Sequence, residues 1–164
     1  MIKTVIKVID STPRTYICNY ALPLIRNYLR LYPKDFAIFS NIFYTLVENA
    51  KEEESRCSMI EIIGDYGEFI EEAIELVAWN QTDISDKLKI SLLRANVKLF
   101  LKRPDEMCNV LSTILKSILM DDDTHLHVKD YAAFLYRGLA SGVEEFKTTF
   151  LDFRVESKYS EKVW

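Results

Sequence analysis

The segment from Leu93 to Ile118, LRANVKLFLKRPDEMCNVLSTILKSI, has the pattern of two helices joined at a proline. Apolar residues recur every three or four positions on both sides of Pro104, which is the spacing of a helix with one buried face. Proline is favoured at the first position of a helix, because an N–H group is not needed there. The acidic Asp105 and Glu106 that follow suit the first turn of the second helix.

The same pattern occurs earlier in the chain, from Leu22 to Val47, as LPLIRNYLRLYPKDFAIFSNIFYTLV. Pro33 and Pro104 are 104 − 33 = 71 positions apart, close to two helix-pair repeats of about 40 residues each. Because one helix pair cannot bury its apolar face alone, such pairs stack into a superhelix. At this offset the residues that match by type are Leu22 and Leu93, Leu29 and Phe100, Phe36 and Met107, Phe39 and Val110, Phe43 and Ile114, and Val47 and Ile118. We therefore predict an all-α fold, an α-solenoid of HEAT/armadillo-like helical repeats (an alpha-alpha superhelix).

Helical periodicity extends over most of the remaining chain. We expect a helical-repeat domain over residues 1–152 and a polar C-terminal tail over 153–164. The expected helices lie near 2–9, 14–31, 34–50, 71–79, 84–103, 104–120, 125–140 and 143–152. Part of the first stretch could also form a strand, although it would have no partner strand. The acidic residues 52–54 either open a further helix or form a solvated charged loop.

Some residues inside or between these helices carry local expectations. Pro23 should kink or break its helix, because it lacks an N–H and clashes with the carbonyl of Asn19. Gly64 and Gly67 should allow close approach of a neighbouring backbone, since glycine is otherwise costly in a helix. The acidic run 121–123 should cap the helix that begins at about residue 125.

Composition excludes several classes of protein. Hydrophobic residues make up 49% and charged residues 28%, while only 4 Gly and 4 Pro are present, which favours long helices with short connections. The net charge of −4 provides no basic field for a nucleic acid. No run of 18 or more apolar residues occurs, so we expect no membrane span, and the charged N-terminus does not resemble a secretory signal.

Metal binding is not indicated by the histidines or the acidic run. His125 and His127 are two residues apart and would point about 200° away from each other on a helix. A calcium loop opening at Asp121 would need Gly and Glu at its sixth and twelfth positions, where Leu126 and Ala132 stand. We expect no metal site.

Catalytic and cofactor motifs are also missing from the sequence. It has neither a G-x-S-x-G elbow nor a G-x-x-x-x-G-K phosphate loop. Cys18, Cys57 and Cys108 are far apart and fit apolar helical patterns, as expected for reduced and mostly buried thiols. We expect no enzymatic activity and no cofactor.

A small group of basic residues is the charged feature that we single out as a partner-binding candidate. It consists of Lys98, Lys102 and Arg103, with Arg94 one turn earlier. Such a group is commonly a solvated helix face. The alternative is contact with acidic partners or anionic lipid head groups.

Four stretches resemble segments of the beta-adaptins, the large beta subunits of clathrin-adaptor complexes. Ala95–Pro104, ANVKLFLKRP, resembles the family's A-x-V-K-L-F-L-K-x-P, and Met59–Ile70, MIEIIGDYGEFI, is similar to M-I-W-I-x-G-E-Y-A-E-x-I. Ile25–Pro33 resembles I-R-D-I-x-R-K-Y-P, and Asp130–Leu139 resembles D-R-x-Y-x-Y-x-R-L-L. The resemblance spans about residues 5–150 in the same order and spacing.

Three positions depart from the family pattern: Glu61 replaces a Trp, Tyr131 an Arg and Gly138 a Leu. These differences leave the individual beta-adaptin, or the related coatomer beta subunit, open. The resemblance implies the C-terminal third of the trunk, a structural segment that curves around the N-terminal domain of the medium (mu) subunit and assembles with the other large and small subunits. It also implies a cytoplasmic protein, peripheral on Golgi/endosomal or plasma-membrane coats, that acts in intracellular protein transport and endocytosis.

Tyr66 occupies the family's tyrosine position, near the surface that faces the cargo-binding domain of the mu subunit in the closed complex. The resemblance therefore suggests Tyr66 as a latch residue. The alternative is an intramolecular role, with the ring in the core and the hydroxyl at its edge.

A second interpretation is a free-standing helical-repeat scaffold, coatomer beta-like or importin-like, that binds extended peptides in its groove. Co-purification distinguishes the two: an adaptor segment recovers medium and small adaptor subunits, and a transport receptor recovers signal-bearing cargo. Because a short solenoid exposes apolar end faces, we also expect self-association of the isolated chain.

Overall fold

The computed structural model describes residues 2–11, 14–78 and 84–151, and every regular element in these ranges is a helix. The expected tail 153–164, with residue 152, lies outside the described residues. Short 3₁₀ turns lie at Pro33–Asp35, Ser40–Ile42 and Gly67–Phe69. The α-helices are α1 Ile2–Ser11, α2 Thr15–Leu31, α3 Phe36–Phe39, α4 Phe43–Asn49, α5 Glu53–Tyr66, α6 Ala73–Leu76, α7 Asp86–Lys102, α8 Pro104–Met120, α9 Leu126–Ser141 and α10 Val143–Leu151.

The longer helices stack in chain order. One layer is formed by α2, α5, α7 and α9, each of which packs against the next. Other helices cover this layer: α4 packs on α2, α8 packs on both α7 and α9, and α10 packs on α9 and α7. The predicted all-α solenoid of helical repeats is confirmed.

The core consists of two apolar clusters that meet at α7. Leu88, Leu92 and Leu99 belong to the first cluster, which also includes α2, α4 and α5. Leu93 and Val97, on another side of α7, belong to the second, which includes α8 and α9. A helix that is apolar on several sides is typical of the interior. The periodicity of the sequence does not predict this central position of α7.

The 71-residue repeat is visible in the backbone. Tyr32 has φ −127° and ψ 69°, and its counterpart Arg103 has φ −131° and ψ 64°. Each residue precedes a proline, which disfavours the helical conformation at the position before it. Each also donates its N–H to a carbonyl four residues earlier, that of Tyr28 and that of Leu99. The duplicated helix–proline–helix unit is therefore a structural repeat.

The single helix expected over residues 34–50 is wrong. The chain forms the 3₁₀ turn Pro33–Asp35, α3, a second 3₁₀ turn and then α4. Ser40 and Asn41 begin the second 3₁₀ turn, and the hydroxyl of Ser40 donates to the carbonyl of Ala37 at 2.9 Å. Serine and asparagine bond to nearby backbone groups and so compete with the helix. The position equivalent to Ser40 in α8 is Leu111, which is buried, and α8 is continuous.

Two further helix expectations differ from the structure in part. Of the two outcomes expected at Pro23, a break is wrong, because α2 continues through this residue from Thr15 to Leu31. The helix expected near 71–79 is reduced to the single turn α6, Ala73–Leu76, and residue 79 lies outside the described residues.

The acidic run 121–123 does not cap α9. The carboxylate of Asp121 accepts hydrogen bonds from the Thr124 hydroxyl at 2.6 Å and from the Asp123 N–H at 3.1 Å, and these bonds lower the pKa of Asp121. The N-cap of α9 is His125, whose Nδ1 accepts from the N–H of His127 at 3.3 Å. Asp121 therefore stabilises the turn that follows α8, so the capping prediction was one turn too early.

The cysteines divide into two environments. Cys18 and Cys57 are buried, and burial raises the pKa of both thiols. Cys108 lies on an exposed face of α8. Burial of the first two agrees with their expected role as apolar core residues.

A candidate partner-binding edge at the helix ends

The carboxyl ends of α2, α5 and α7 lie along one edge of the stack. At the amino ends, the Ser55 hydroxyl of α5 donates to the carbonyl of Asn19 in α2 at 2.8 Å. At the carboxyl ends, the Tyr66 hydroxyl of α5 donates to the carbonyl of Leu29 in α2 at 3.0 Å. Contacts of Asp65 with Lys102 join α5 to α7 in the same way. The three helices therefore run in the same direction, and we call the surface at their carboxyl ends the C-terminal edge.

Close approach of α5 and α7 depends on Gly64. A Cβ atom at this position would lie 2.8 Å from the Cα of Ala95 and 3.1 Å from its Cβ. A Cβ on Gly67 would lie 2.1 Å from a methyl group of Leu99. The expected close approach of a neighbouring backbone is confirmed at Gly64. It is wrong at Gly67, where the neighbouring atoms belong to side chains.

Tyr66 lies inside this edge. Its side chain is 8% exposed, and its ring stacks on Phe36 with centroids 4.5 Å apart and planes inclined by 3°. Its hydroxyl donates to the carbonyl oxygen of Leu29. In a continuous helix this carbonyl would accept from the N–H of the residue four positions later, which is Pro33. Because proline has no N–H, Tyr66 satisfies a carbonyl that α2 cannot satisfy itself. This geometry provides the intramolecular role, and contact of Tyr66 with a partner stays a prediction.

The basic residues Lys98 and Lys102 are not a solvated face. Lys98 forms an ion pair with the carboxylate of Asp65, and the ammonium group of Lys102 donates to the carbonyl oxygen of the same residue. Lys102 also lies 4.0 Å from the carboxylate of Glu68. Both cations are placed at the carboxyl end of α5, where the helix dipole favours positive charge.

Arg103 continues this arrangement around the turn that follows α5. Its guanidinium donates to the carbonyls of Gly67 and Ile70 at 3.4 and 3.5 Å. It also binds Glu106, with Nε 2.9 Å from one carboxylate oxygen. The bonds to Glu106 raise the pKa of Arg103 and lower that of Glu106. Arg103 therefore holds the 3₁₀ turn Gly67–Phe69 against the start of α8.

Arg94 lies away from the C-terminal edge. Its Nε donates to the hydroxyl of Tyr131 at 3.2 Å, and its guanidinium carbon is 5.9 Å from the centre of that ring. Burial acts to lower the pKa of Arg94, but the bond to Tyr131 acts in the opposite direction and the pKa is raised. Arg94 therefore joins α7 to α9, whereas Lys98 and Lys102 join α7 to α5.

The exposed aromatic residues of the edge were not predicted as interface residues. Phe69 is 70% exposed, with its ring centroid 6.1 Å from that of Phe36. Leu31 and Tyr32 at the end of α2 are each more than half exposed. The one signal in the sequence is that Phe69 is a large apolar residue two positions after Gly67.

Within the described ranges, no helix is long and apolar enough to cross a membrane. The same part of the chain contains no group of three or more His, Cys, Asp or Glu side chains that could hold a metal ion. The C-terminal edge itself combines exposed apolar side chains with ion pairs inside the chain.

Comparison with known proteins gives a consistent result. The chain is 29% identical over 144 residues to the AP-1 complex subunit beta of Dictyostelium discoideum, which covers 86% of this chain and 15% of the relative. It is 34% identical over 119 residues to the human AP-1 complex subunit beta-1, covering 69% and 12%. It is 26% identical over 128 residues to the AP-2 complex subunit beta of Saccharomyces cerevisiae, covering 76% and 18%.

The chain spans less than a fifth of the length of each of these relatives. No family model matches it. The relatives come from an amoeba, a mammal and a yeast, and they agree in being beta subunits of AP complexes. The stacked helices and these matches agree with the resemblance seen in the sequence, and the chain belongs to the beta-adaptin family as a homologue of one segment of those larger subunits.

Proposed function

We propose that this chain is a structural segment of a clathrin-adaptor or vesicle-coat complex and acts in intracellular protein transport by binding other adaptor subunits. The observation that carries the proposal is the similarity of 69–86% of the chain to AP beta subunits. The solenoid supports it, because stacked helix pairs offer long surfaces for protein contacts. The proposed role is structural and not catalytic.

The proposal includes a place within the larger subunit. The motif resemblance favours the C-terminal third of the trunk, with residues 1–152 as the repeat domain and 153–164 as a polar tail. The proposed partners are the medium (mu) subunit and the other large and small adaptor subunits. Association with Golgi/endosomal or plasma membranes would then be peripheral, through the assembled complex in the cytoplasm.

We place the partner contact at the C-terminal edge, around Phe69. An exposed aromatic side chain beside a polar rim is the usual form of an energetic hot spot. Phe69 lies in a turn that Arg103 holds through the carbonyls of Gly67 and Ile70, so its position is fixed before a partner binds. Phe36 links this residue to the core, since its ring stacks on Tyr66 and its centroid lies 6.1 Å from that of Phe69. Contacts of Arg94, Lys98, Lys102 and Arg103 with a partner stay predictions.

Co-purification tests this proposal. Tagged chain expressed in eukaryotic cells should recover medium and small adaptor subunits. Phe69→Ser should reduce this recovery at least about tenfold, the effect of removing one hot spot. The matched control is Met120→Ser, because Met120 is as exposed as Phe69 and lies at the end of α8. Both variants should keep the wild-type helical circular dichroism.

The same experiment decides against the alternatives. Recovery of signal-bearing cargo without adaptor subunits would support the importin-like scaffold instead. Recovery of coatomer subunits would assign the chain to the coatomer beta relatives. Equal losses for Phe69→Ser and Met120→Ser would place the contact elsewhere than the C-terminal edge.

A further inference from the structure

Arg94 is a half-buried cation for which the described residues supply no carboxylate partner. On the same face of α7, one turn later, Lys98 pairs with the carboxylate of Asp65. Arg94 instead uses its Nε to donate to the hydroxyl of Tyr131, and its Nη groups have no acceptor in the described part of the chain. A charge that is partly removed from water is normally paired. An unpaired one therefore indicates a place where an anion can bind.

The hydroxyl of Tyr131 adds a second donor at this place. Its oxygen accepts from Arg94 at 3.2 Å, and its own hydrogen has no acceptor among the residues that the structure describes. The guanidinium carbon of Arg94 lies 5.9 Å from the centre of the ring, so the two groups are adjacent. A carboxylate has two oxygens. One can accept from an Nη of Arg94 while the other accepts from the hydroxyl of Tyr131.

The charges around this donor pair favour a ligand with a single negative charge. Burial acts to lower the pKa of Arg94, whereas the bond to Tyr131 and the charges of Glu61 and Asp65 act to raise it. These two carboxylates therefore influence the site, but each already pairs with another cation. The second negative charge of a phosphate group would be repelled by them and would find no further cation. A carboxylate fits the site better than a phosphate.

An exposed aromatic ring lies beside the donor pair. Phe134 is 57% exposed, and its ring stacks on that of Tyr131 with centroids 6.3 Å apart. It also contacts Phe146 of α10, with centroids 6.5 Å apart. These contacts hold the ring of Phe134 in place before a partner binds. The ring can then pack on an apolar side chain that neighbours the bound carboxylate.

Two of the residues that build this site depart from the beta-adaptin pattern. Tyr131 stands where the pattern has Arg, and an arginine could not accept a hydrogen bond from Arg94. Gly138 stands where the pattern has Leu, and a Cβ there would collide with the ring of Phe146. A chain that follows the pattern at both positions would therefore lack this arrangement. The site is a feature of this chain.

We propose that Arg94, Tyr131 and Phe134 bind an acidic side chain of a partner protein together with an apolar residue next to it. Arg94 and Tyr131 hold the two carboxylate oxygens, and Phe134 packs on the apolar residue. The site lies between α7 and α9, apart from the C-terminal edge. The inference goes beyond the proposed function, since it concerns a second surface and its test requires no adaptor subunit.

Titration of the purified chain with short blocked peptides tests the site. The probe peptide has a glutamate followed by a leucine between two glycines. The signal is the NMR resonance of the Arg94 Nε–H, which is assigned from its loss in Arg94→Lys. This resonance should shift and saturate with the glutamate peptide, and it should not move with a peptide that has glutamine instead. A peptide with phosphoserine instead of glutamate should bind more weakly than the glutamate peptide.

Variants separate the parts of the site, with backbone amide resonances of α9 as the signal. Tyr131→Phe removes a hydrogen bond to a charged group and should weaken binding at least about tenfold. Arg94→Gln should abolish saturable binding. Phe134→Ser should weaken binding of the probe peptide, but not of a peptide in which glycine replaces the leucine. The matched control is Arg137→Gln, because Arg137 is an exposed arginine of α9 outside the site, and this variant should bind like the wild type.

Three results would overturn the proposal. They are an Arg94 resonance that does not shift with the glutamate peptide, equal binding of the glutamate and glutamine peptides, and tighter binding of the phosphoserine peptide. All three use the wild-type chain, so they decide the proposal even where a variant loses its helical circular dichroism. Equal losses for Arg94→Gln and Arg137→Gln would likewise contradict it, since they would show a general attraction to positive charge. Phe69→Ser should leave peptide binding unchanged, so failure of the adaptor proposal is distinguishable from failure of this one.

Discussion

Replacement of Tyr66 by alanine should lower the free energy of unfolding by about 3–5 kcal/mol, the range for truncating a buried aromatic side chain. The ring of Tyr66 stacks on Phe36, and its hydroxyl satisfies the carbonyl of Leu29 that Pro33 leaves without a helical donor. Tyr66→Phe keeps the ring and loses only the hydrogen bond, so we expect a loss of about 1–3 kcal/mol, the cost of an unsatisfied buried carbonyl. Urea denaturation monitored by circular dichroism measures both values.

Tyr20→Ala is the matched control, since Tyr20 is 74% exposed and its removal should change stability by no more than about 0.5 kcal/mol at concentrations where the chain is monomeric. A loss below about 1 kcal/mol for Tyr66→Ala would contradict the core role described here. If Tyr66→Phe kept most of its stability but lost the recovery of adaptor subunits, the hydroxyl would have the latch role that the resemblance suggests.

Gly64→Ala should destabilise the chain by about 1–3 kcal/mol, the usual cost of overpacking. A loss of stability is unusual for this substitution, because alanine in place of a helical glycine normally stabilises a helix by about 1 kcal/mol. Here the added Cβ would lie 2.8 Å from the Cα of Ala95, and backbone cannot rotate away as a side chain can. A second change, Ala95→Gly, should not restore stability, because it removes the Cβ of Ala95 and leaves its Cα in place.

The control for Gly64 is another helical glycine. A Cβ on Gly138 would meet the ring of Phe146, which is the far end of a movable side chain. Gly138→Ala should therefore cost less than Gly64→Ala in the same denaturation experiment. Equal effects at the two positions would show that α5 and α7 can separate at little cost. Rescue of Gly64→Ala by Ala95→Gly would show that the obstacle is the Cβ of Ala95 and not its Cα.

Local signals in the sequence predicted the junctions and the close contacts of this fold. Pro104 and its acidic neighbours specify the start of α8 through rules that act within one helical turn. Gly64 was predicted to allow close packing because its cost in a helix demands a compensating contact. The offset between Pro33 and Pro104 predicted the solenoid, since a repeated sequence pattern implies repeated packing.

The interruptions and the role of the basic residues could not be predicted in this way. The break at Ser40 depends on competition between side-chain and backbone hydrogen bonds, and residues of the same type lie inside other helices without breaking them. Lys98 and Lys102 have their carboxylate and carbonyl partners more than thirty positions earlier, on α5. A pattern along one helix contains no information about such contacts. Exposure of Phe69 likewise depends on where α5 ends.

Since α7 contributes buried residues to both apolar clusters, it couples the stability of the two halves of this short array. In longer repeat proteins, stability is a sum of repeat and nearest-neighbour terms, and blocks of repeats can melt one after another. Here unwinding of α7 would remove buried residues from both clusters at once. The stretch from α2 to α9 should accordingly melt in one cooperative step, with α7 as the last helix to exchange its amide protons.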